Sequence, residues 1–297
     1  MKKIFLGLFV FIFMMGFVSA MDLLVNSPIS STSNNRTVLV NLSSNGETAD
    51  FYFIRGILGP NNWILLCKEN QTCITTINIR SGVNNLMFKA VSLVDGSSDI
   101  KDNMTITIDT RKPSIHKTTP NSNAFVNESS LFDVKYSEDD LANITLSYGT
   151  FVNPKSESKD CTSGKNKICS FSPNLTEFDG QMINFSFSVF DNAGNVVSSR
   201  TKYVKVDLTE PNVTPTHTIE GKKVTFFFEV IEDNFDKIKF IDYKERRPVW
   251  RTLCSNLQVG RCYTFRNFAY GVHNLTIIAT DKAKNSWVKS NEIINIP

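Results

Sequence analysis

Apolar and polar residues alternate in short runs along most of this chain. Thr37-Val-Leu-Val-Asn-Leu42, Asp50-Phe-Tyr-Phe-Ile54, Ile74-Thr-Thr-Ile-Asn-Ile79 and Asn184-Phe-Ser-Phe-Ser-Val-Phe190 carry the period-two pattern of half-buried strands. Turn residues separate the runs every 8–12 positions or so, the spacing of an antiparallel sandwich. After the N-terminal apolar run, no long segment has the 3.6-residue period of a helix.

The pattern repeats. Asp109-Thr-Arg-Lys-Pro113 and Asp207-Leu-Thr-Glu-Pro211 share the form Asp-x-x-x-Pro, 207 − 109 = 98 residues apart, and each follows an alternating run. Proline ends the strand before it and favours an extended backbone, so each reads as a stiff joint between domains. The six cysteines fall as close pairs, Cys67/Cys73, Cys161/Cys169 and Cys254/Cys262, at steps of 161 − 67 = 94 and 254 − 161 = 93. Trp63 precedes Cys67 by four residues as Trp250 precedes Cys254. Gly82-Val-Asn-Asn-Leu86 is matched by Gly271-Val-His-Asn-Leu275. Agreement in both type and spacing makes an internal repeat. The boundaries expected are 21–108, 109–206 and 207–297, behind an N-terminal segment 1–20.

The joints, the closing strand with Asp191-Asn-Ala-Gly-Asn195, and the period of about 95 residues resemble tandem immunoglobulin-like or fibronectin-type-III-like repeats of bacterial and archaeal surface proteins. The resemblance covers nearly the whole chain after residue 20. Repeat one is its least typical member, and the Trp-x-x-x-Cys element departs from the pattern. The fold it implies is all-β: three tandem immunoglobulin-like Greek-key β-sandwiches after a signal peptide. The role it implies is spacing, adhesion or ligand presentation, seldom catalysis.

The ends and the charges add limits. Lys2 and Lys3, the apolar run Ile4 to Val18 and the small residues Ser19-Ala20 read as a secretory signal peptide. The rival is an uncleaved anchor, although a span needs roughly 20 apolar residues. Without residues 1–20 the chain keeps 32 − 2 = 30 basic against 29 acidic side chains, which argues against nucleic acid as a partner. In an exported chain, evenly spaced cysteine pairs point to local disulfides rather than zinc. Their short rings suggest that each pins a surface hairpin.

Three kinds of candidate site follow. Carboxylates recur at the expected domain joints: Asp109, Glu138, Asp139, Asp140 and Asp191 for repeat two; Asp207, Glu232, Asp233, Asn234 and Asp281 for repeat three. In an immunoglobulin-like sandwich the B–C loop, the F–G loop and the incoming linker meet at one end. These oxygens would therefore converge as calcium requires. The alternative is that Asp and Asn simply favour turns there. Repeat one, with nothing before it, has Ser43-Ser-Asn-Gly46 at the matching place.

Glycosylation sequons begin at Asn35, Asn41, Asn70, Asn103, Asn127, Asn143, Asn174, Asn184, Asn212 and Asn274. Aromatics form the third kind. Alternation turns at least one of Phe226, Phe227 and Phe228 outward, and Trp63 and Trp250 are expected to pack on the nearby disulfides. Lys replaces the turn glycine at Lys284, so the last turn of repeat three is expected to differ from that of repeat two.

The histidines His116, His217 and His273 lie apart, one per repeat, with no patterned nucleophile beside them. The reading is a secreted or cell-surface, non-catalytic spacer or adhesion protein. Its partners would be envelope proteins, surface proteins or glycans, and it would meet a membrane only through an uncleaved signal or a partner. The alternatives are a ligand-binding module read by repeat three, which is net basic, and an accessory subunit of an exported enzyme.

Overall fold

The computed structural model describes residues 21–55 and 62–297, with the side chains of Asp102 and Asn103 left aside. The expected signal peptide lies outside the described residues. No helix among them is long and apolar enough to cross a membrane. The chain divides into two compact units, residues 1–111 and 112–297.

The first unit holds one sandwich. Its strands are β1 (Leu24–Ser27), β2 (Ser31–Ser33), β3 (Thr37–Ser43), β4 (Ala49–Arg55), β5 (Ile64–Asn70), β6 (Thr72–Asn78), β7 (Gly82–Ser92) and β8 (Ser98–Ile108). They form a small sheet β1-β3-β6 and a large one β2-β8-β7-β4-β5. Alternate residues such as Leu42, Phe51 and Phe88 meet between the sheets.

The second unit holds two sandwiches. The first of these, here the middle sandwich, has β9 (Ser114–Thr119), β10 (Ala124–Val126), β11 (Phe132–Glu138), β12 (Leu141–Gly149), β13 (Pro154–Lys159), β14 (Gly164–Phe171), β15 (Met182–Asp191), β16 (Val196–Ser198) and β17 (Lys202–Val206). Its sheets are β14-β11-β9 and β10-β17-β15-β12-β13, with β16 pairing β15. The last sandwich has β18 (Asn212–Glu220), β19 (Lys223–Ile231), β20 (Phe235–Asp242), β21 (Arg251–Cys254), β22 (Arg261–Asn267), β23 (Gly271–Asp281) and β24 (Ser286–Ile296). Its sheets are β18-β19-β22 and β21-β20-β23-β24. Each of the three sandwiches has its own core.

The strand order is one Greek-key plan written three times. Its first strand differs between copies. In the first two, the chain breaks after β1 or β9 at Pro28 or Pro120, which offer no N–H to a ladder. It then crosses to the large sheet, where β2 and β10 run parallel to the last strands β8 and β17. In the last sandwich β18 stays whole, and Pro215 is tolerated because β18 is an edge strand.

The disulfides correct one expectation. All three pairs are bonded, yet none pins a hairpin. Cys67 lies on β5 of the large sheet and Cys73 on β6 of the small one; Cys254 on β21 and Cys262 on β22 repeat this. Cys161, just past β13, bonds Cys169 on β14 across the same gap. Each bond staples the two sheets together at their open side, with Cys73, Cys169 and Cys262 buried in the cores. The sequence separation is short because this crossover is short, so neighbours in the chain belong to different sheets.

Trp63 lies under the ammonium of Lys89, 5.2 Å from its ring centroid, and Trp250 is about half exposed.

Candidate functional site: an acidic joint and an aromatic face

The closing turn of the last sandwich, Asp281 to Asn285, is built by its own ends. The Asp281 carboxylate accepts the backbone N–H of Asn285 at 2.9 Å and its Nδ2–H at 2.8 Å. The turn after β19 comes alongside: Lys282 N–H donates to the carbonyl of Asn234 at 2.9 Å. The linker residue Asp207 completes the group. Its N–H donates to Val126 O of the middle sandwich at 2.9 Å, and its own carbonyl accepts from Asn285 Nδ2 at 2.8 Å. Its carboxylate accepts from Asn234 Nδ2. Asn127 Nδ2, from the middle sandwich, donates to Asn285 Oδ1 at 3.2 Å. One linker residue is therefore bonded to both sandwiches, and a second contact runs between two asparagines.

The expected convergence at this joint is met in part. One oxygen each of Asp207, Glu232 and Asp281 lies within 4.8 Å of the others. Asn234 bonds into the group, whereas Asp233 points to solvent. Burial pushes the Glu232 carboxyl up, helped by the charges of Asp207, Asp281 and Asp233 and opposed by the Asn234 N–H. Burial also pushes Asp281 up; bonds from Asn285 work against this, and the charge of Asp207 adds to it. The negative charge here is thus under-compensated by the donors around it.

Within the middle sandwich Asn192 Nδ2 donates to Asp140 Oδ1 at 2.6 Å, and Glu138 Oε1 accepts the N–H of Asp140 at 2.9 Å. Asp191 holds Asn195 through the backbone N–H and Nδ2–H, both at 2.7 Å. Asp139 is exposed. Asp109 lies in the first unit, where its carboxylate accepts the N–H of Arg111 at 2.8 Å. Among the described residues, only the Asp207, Glu232 and Asp281 set gathers three metal-capable groups.

Two joint residues escaped the sequence reading. Asn127 opens a sequon, yet it is buried, with Oδ1 taken by Ser129 and Ser130 and Nδ2 by Asn285. The sequence presents Asn285 as a turn residue alone. The signal for its turn role was present: Asp and Asn recur four apart at 191/195 and 281/285. The remaining sequons divide by position. Asn35, Asn70, Asn174 and Asn212 are exposed; Asn41, Asn143, Asn184 and Asn274 are half-buried on strands. The side chain of Asn103 lies outside the described set.

The second feature is the outer face of the small sheet of the last sandwich. Phe226 and Phe228 are buried, and Phe227 points outward, 44% exposed. Its ring meets Tyr263, directly opposite on β22, edge to face at 4.7 Å. Phe265 lies on the same face, with the Lys223 ammonium 5.0 Å from its ring centroid.

No family model and no curated protein matches the chain. Solved structures do. A chicken CNTN1 fragment of domains FN1–FN3 is 9% identical over 93% of this chain and 97% of that one, at a TM-score of 0.41. The titin I-band fragment I67–I69 is 13% identical over 92% and 98%, at 0.41. Fibronectin(III)-like modules of Clostridium thermocellum CbhA are 15% identical over 63% and 94%, at 0.38. Likeness at this level assigns no function. The all-β, tandem-sandwich fold rests on the strand order itself.

Proposed function

We propose that this chain is a secreted or cell-surface, non-catalytic spacer or adhesion protein. The observation that carries the reading is the stitched linker: Asp207 bonded to Val126 on one side and to Asn234 and Asn285 on the other. A spacer needs neighbouring domains to keep one orientation, and a bonded linker residue does that without a large interface. The test is backbone relaxation by NMR on the full chain. The middle and last sandwiches should report one common tumbling time; two independent times would sink the reading.

Calcium at this joint extends the same proposal. Ligand oxygens sit about 2.3–2.6 Å from calcium, so three oxygens within 4.8 Å of one another fit around one ion. Asp207, Glu232 and Asp281 would hold it, and its charge would offset the repulsion that burial leaves among them. Calcium should raise the melting temperature of the second unit and EDTA should reverse this. Indifference to both would remove the ion and leave the stitched linker.

A second reading is favoured by the aromatic face: the last sandwich as reader of an external ligand. Replacing Phe227 and Tyr263 by Ser should abolish surface binding if it is right and leave a spacer unaffected.

A further inference from the structure

The aromatic face has a polar residue at its head that can carry a covalent occupant. Asn212 opens β18, and Asn212-Val213-Thr214 is a sequon. A strand turns residues two apart to the same side, so Asn212 and Thr214 both face outward, and both are exposed. No hydrogen bond engages the Asn212 amide among the described residues. That separates it from Asn127, whose amide is consumed by the joint, and from Asn70 and Asn274, whose Nδ2 groups already donate.

The surface beside Asn212 is shaped and apolar. Directly across on β19 is Ile231, 77% exposed. Ile231, Glu229, Arg261 and Val259 line a depression of about 280 Å³ that Asn212 and Thr214 border. The register continues this surface into the rings: Thr216 on β18 faces Phe227, which faces Tyr263. Thr216 is four residues on from Asn212, or about 13 Å along the strand. Hydroxyls and amides on β18, apolar groups and rings on β19 and β22, and the Glu229–Arg261 ion pair between them form a surface suited to sugar. Ring faces take the C–H side of a pyranose, while the polar groups take its hydroxyls.

We propose that Asn212 is N-glycosylated and that the glycan lies along this face, covering Ile231 and the Phe227–Tyr263 pair. The step takes a glycosyl diphosphate donor. Nδ2 of Asn212 bonds to the anomeric carbon and gives up one proton to the transferase. The bond from that carbon to the diphosphate oxygen breaks, and the diphosphate leaves with its electron pair. An exposed aromatic face and an unengaged sequon at its head then have one explanation.

The test uses the full chain as its own cells export it. Mass spectrometry of the peptide containing Asn212 should find it carrying sugar, and Thr214→Val or Asn212→Gln should abolish that mass. Nitration of Tyr263 by tetranitromethane then reads the placement: it should run several-fold slower in the glycosylated chain than in either variant. An unmodified Asn212 in the exported chain overturns the proposal. A modified Asn212 with Tyr263 nitrated as fast as in Thr214→Val overturns the covering of the face. Having two variants keeps the comparison intact if one of them folds poorly.

Discussion

The closing turns of the middle and last sandwiches carry different sequences and the same shape. Asp191-Asn-Ala-Gly-Asn195 places glycine in the left-handed region, with Gly194 at φ 89°. Asp281-Lys-Ala-Lys-Asn285 places a lysine there, with Lys284 at φ 78°. The expected difference in the turn is therefore absent. Both turns close with the same bonds: the Asp N–H to the Asn carbonyl, and the fourth residue's N–H back to the Asp carbonyl. In both, the Asp carboxylate then grips the Asn amide. In the last sandwich the Asn also reaches the joint. Asn285 also donates to the linker carbonyl of Asp207 and accepts from Asn127. In the last sandwich the turn thus serves as a clamp to the middle sandwich as well.

This comparison can be broken most strongly at the two asparagines. Asn285→Ala removes a part-buried bond to a carboxylate together with the joint bonds and should cost about 3 kcal/mol; Asn195→Ala removes a buried bond to a carboxylate and should cost at least about 2 kcal/mol. Hydrogen exchange resolved by sandwich is the measurement. Only Asn285→Ala should also loosen the middle sandwich relative to the last, and equal effects would mean the clamp is idle.

Next is calcium. At tenfold excess over its dissociation constant it should stabilise the second unit by about 1.4 kcal/mol. The first unit, whose corresponding loop has no acidic cluster, should not respond. A response of equal size in both would place the effect elsewhere.

A smaller effect is expected from Lys284→Gly. A left-handed side chain costs about 1–2 kcal/mol and the Lys284–Asp236 ion pair is partly exposed. The variant should therefore gain about 1 kcal/mol in denaturant titration. A loss would show that Lys284 does more than occupy the turn.

The smallest effect should come from Glu232→Gln, and its sign is the informative part. Burial and the surrounding acids disfavour the Glu232 charge, so in EDTA the variant should be slightly more stable than the parent. In calcium the order should reverse, because a ligand oxygen has lost its charge. A loss of stability in EDTA would mean that the carboxylate is paired better than its neighbours indicate.

Much of this was legible in the chain. Alternation located the strands, because a strand between water and a core must alternate. The period of the cysteines located the repeats, and Phe226-Phe-Phe228 had to expose a ring. The Glu232 to Asn234 loop and Asp281 were paired by analogy with a sandwich pole, and they meet. The roles of Asn127 and Asn285 were hidden, since each contact joins residues far apart in sequence.

What the sequence by itself determined is local: which residues form strands, which form turns, where the modules repeat, and which cysteines lie close enough to bond. Tertiary structure decided which sheet each strand joins. That turned three apparent hairpin staples into bonds between sheets. It also decided which asparagine amides are consumed and which stay open, and it brought Asp207 to a turn more than seventy residues away. The physical reason is that alternation states only that one face of a strand is buried. The partner that buries it is chosen by packing of the whole sandwich, and so is everything that lies at the sandwich's two ends.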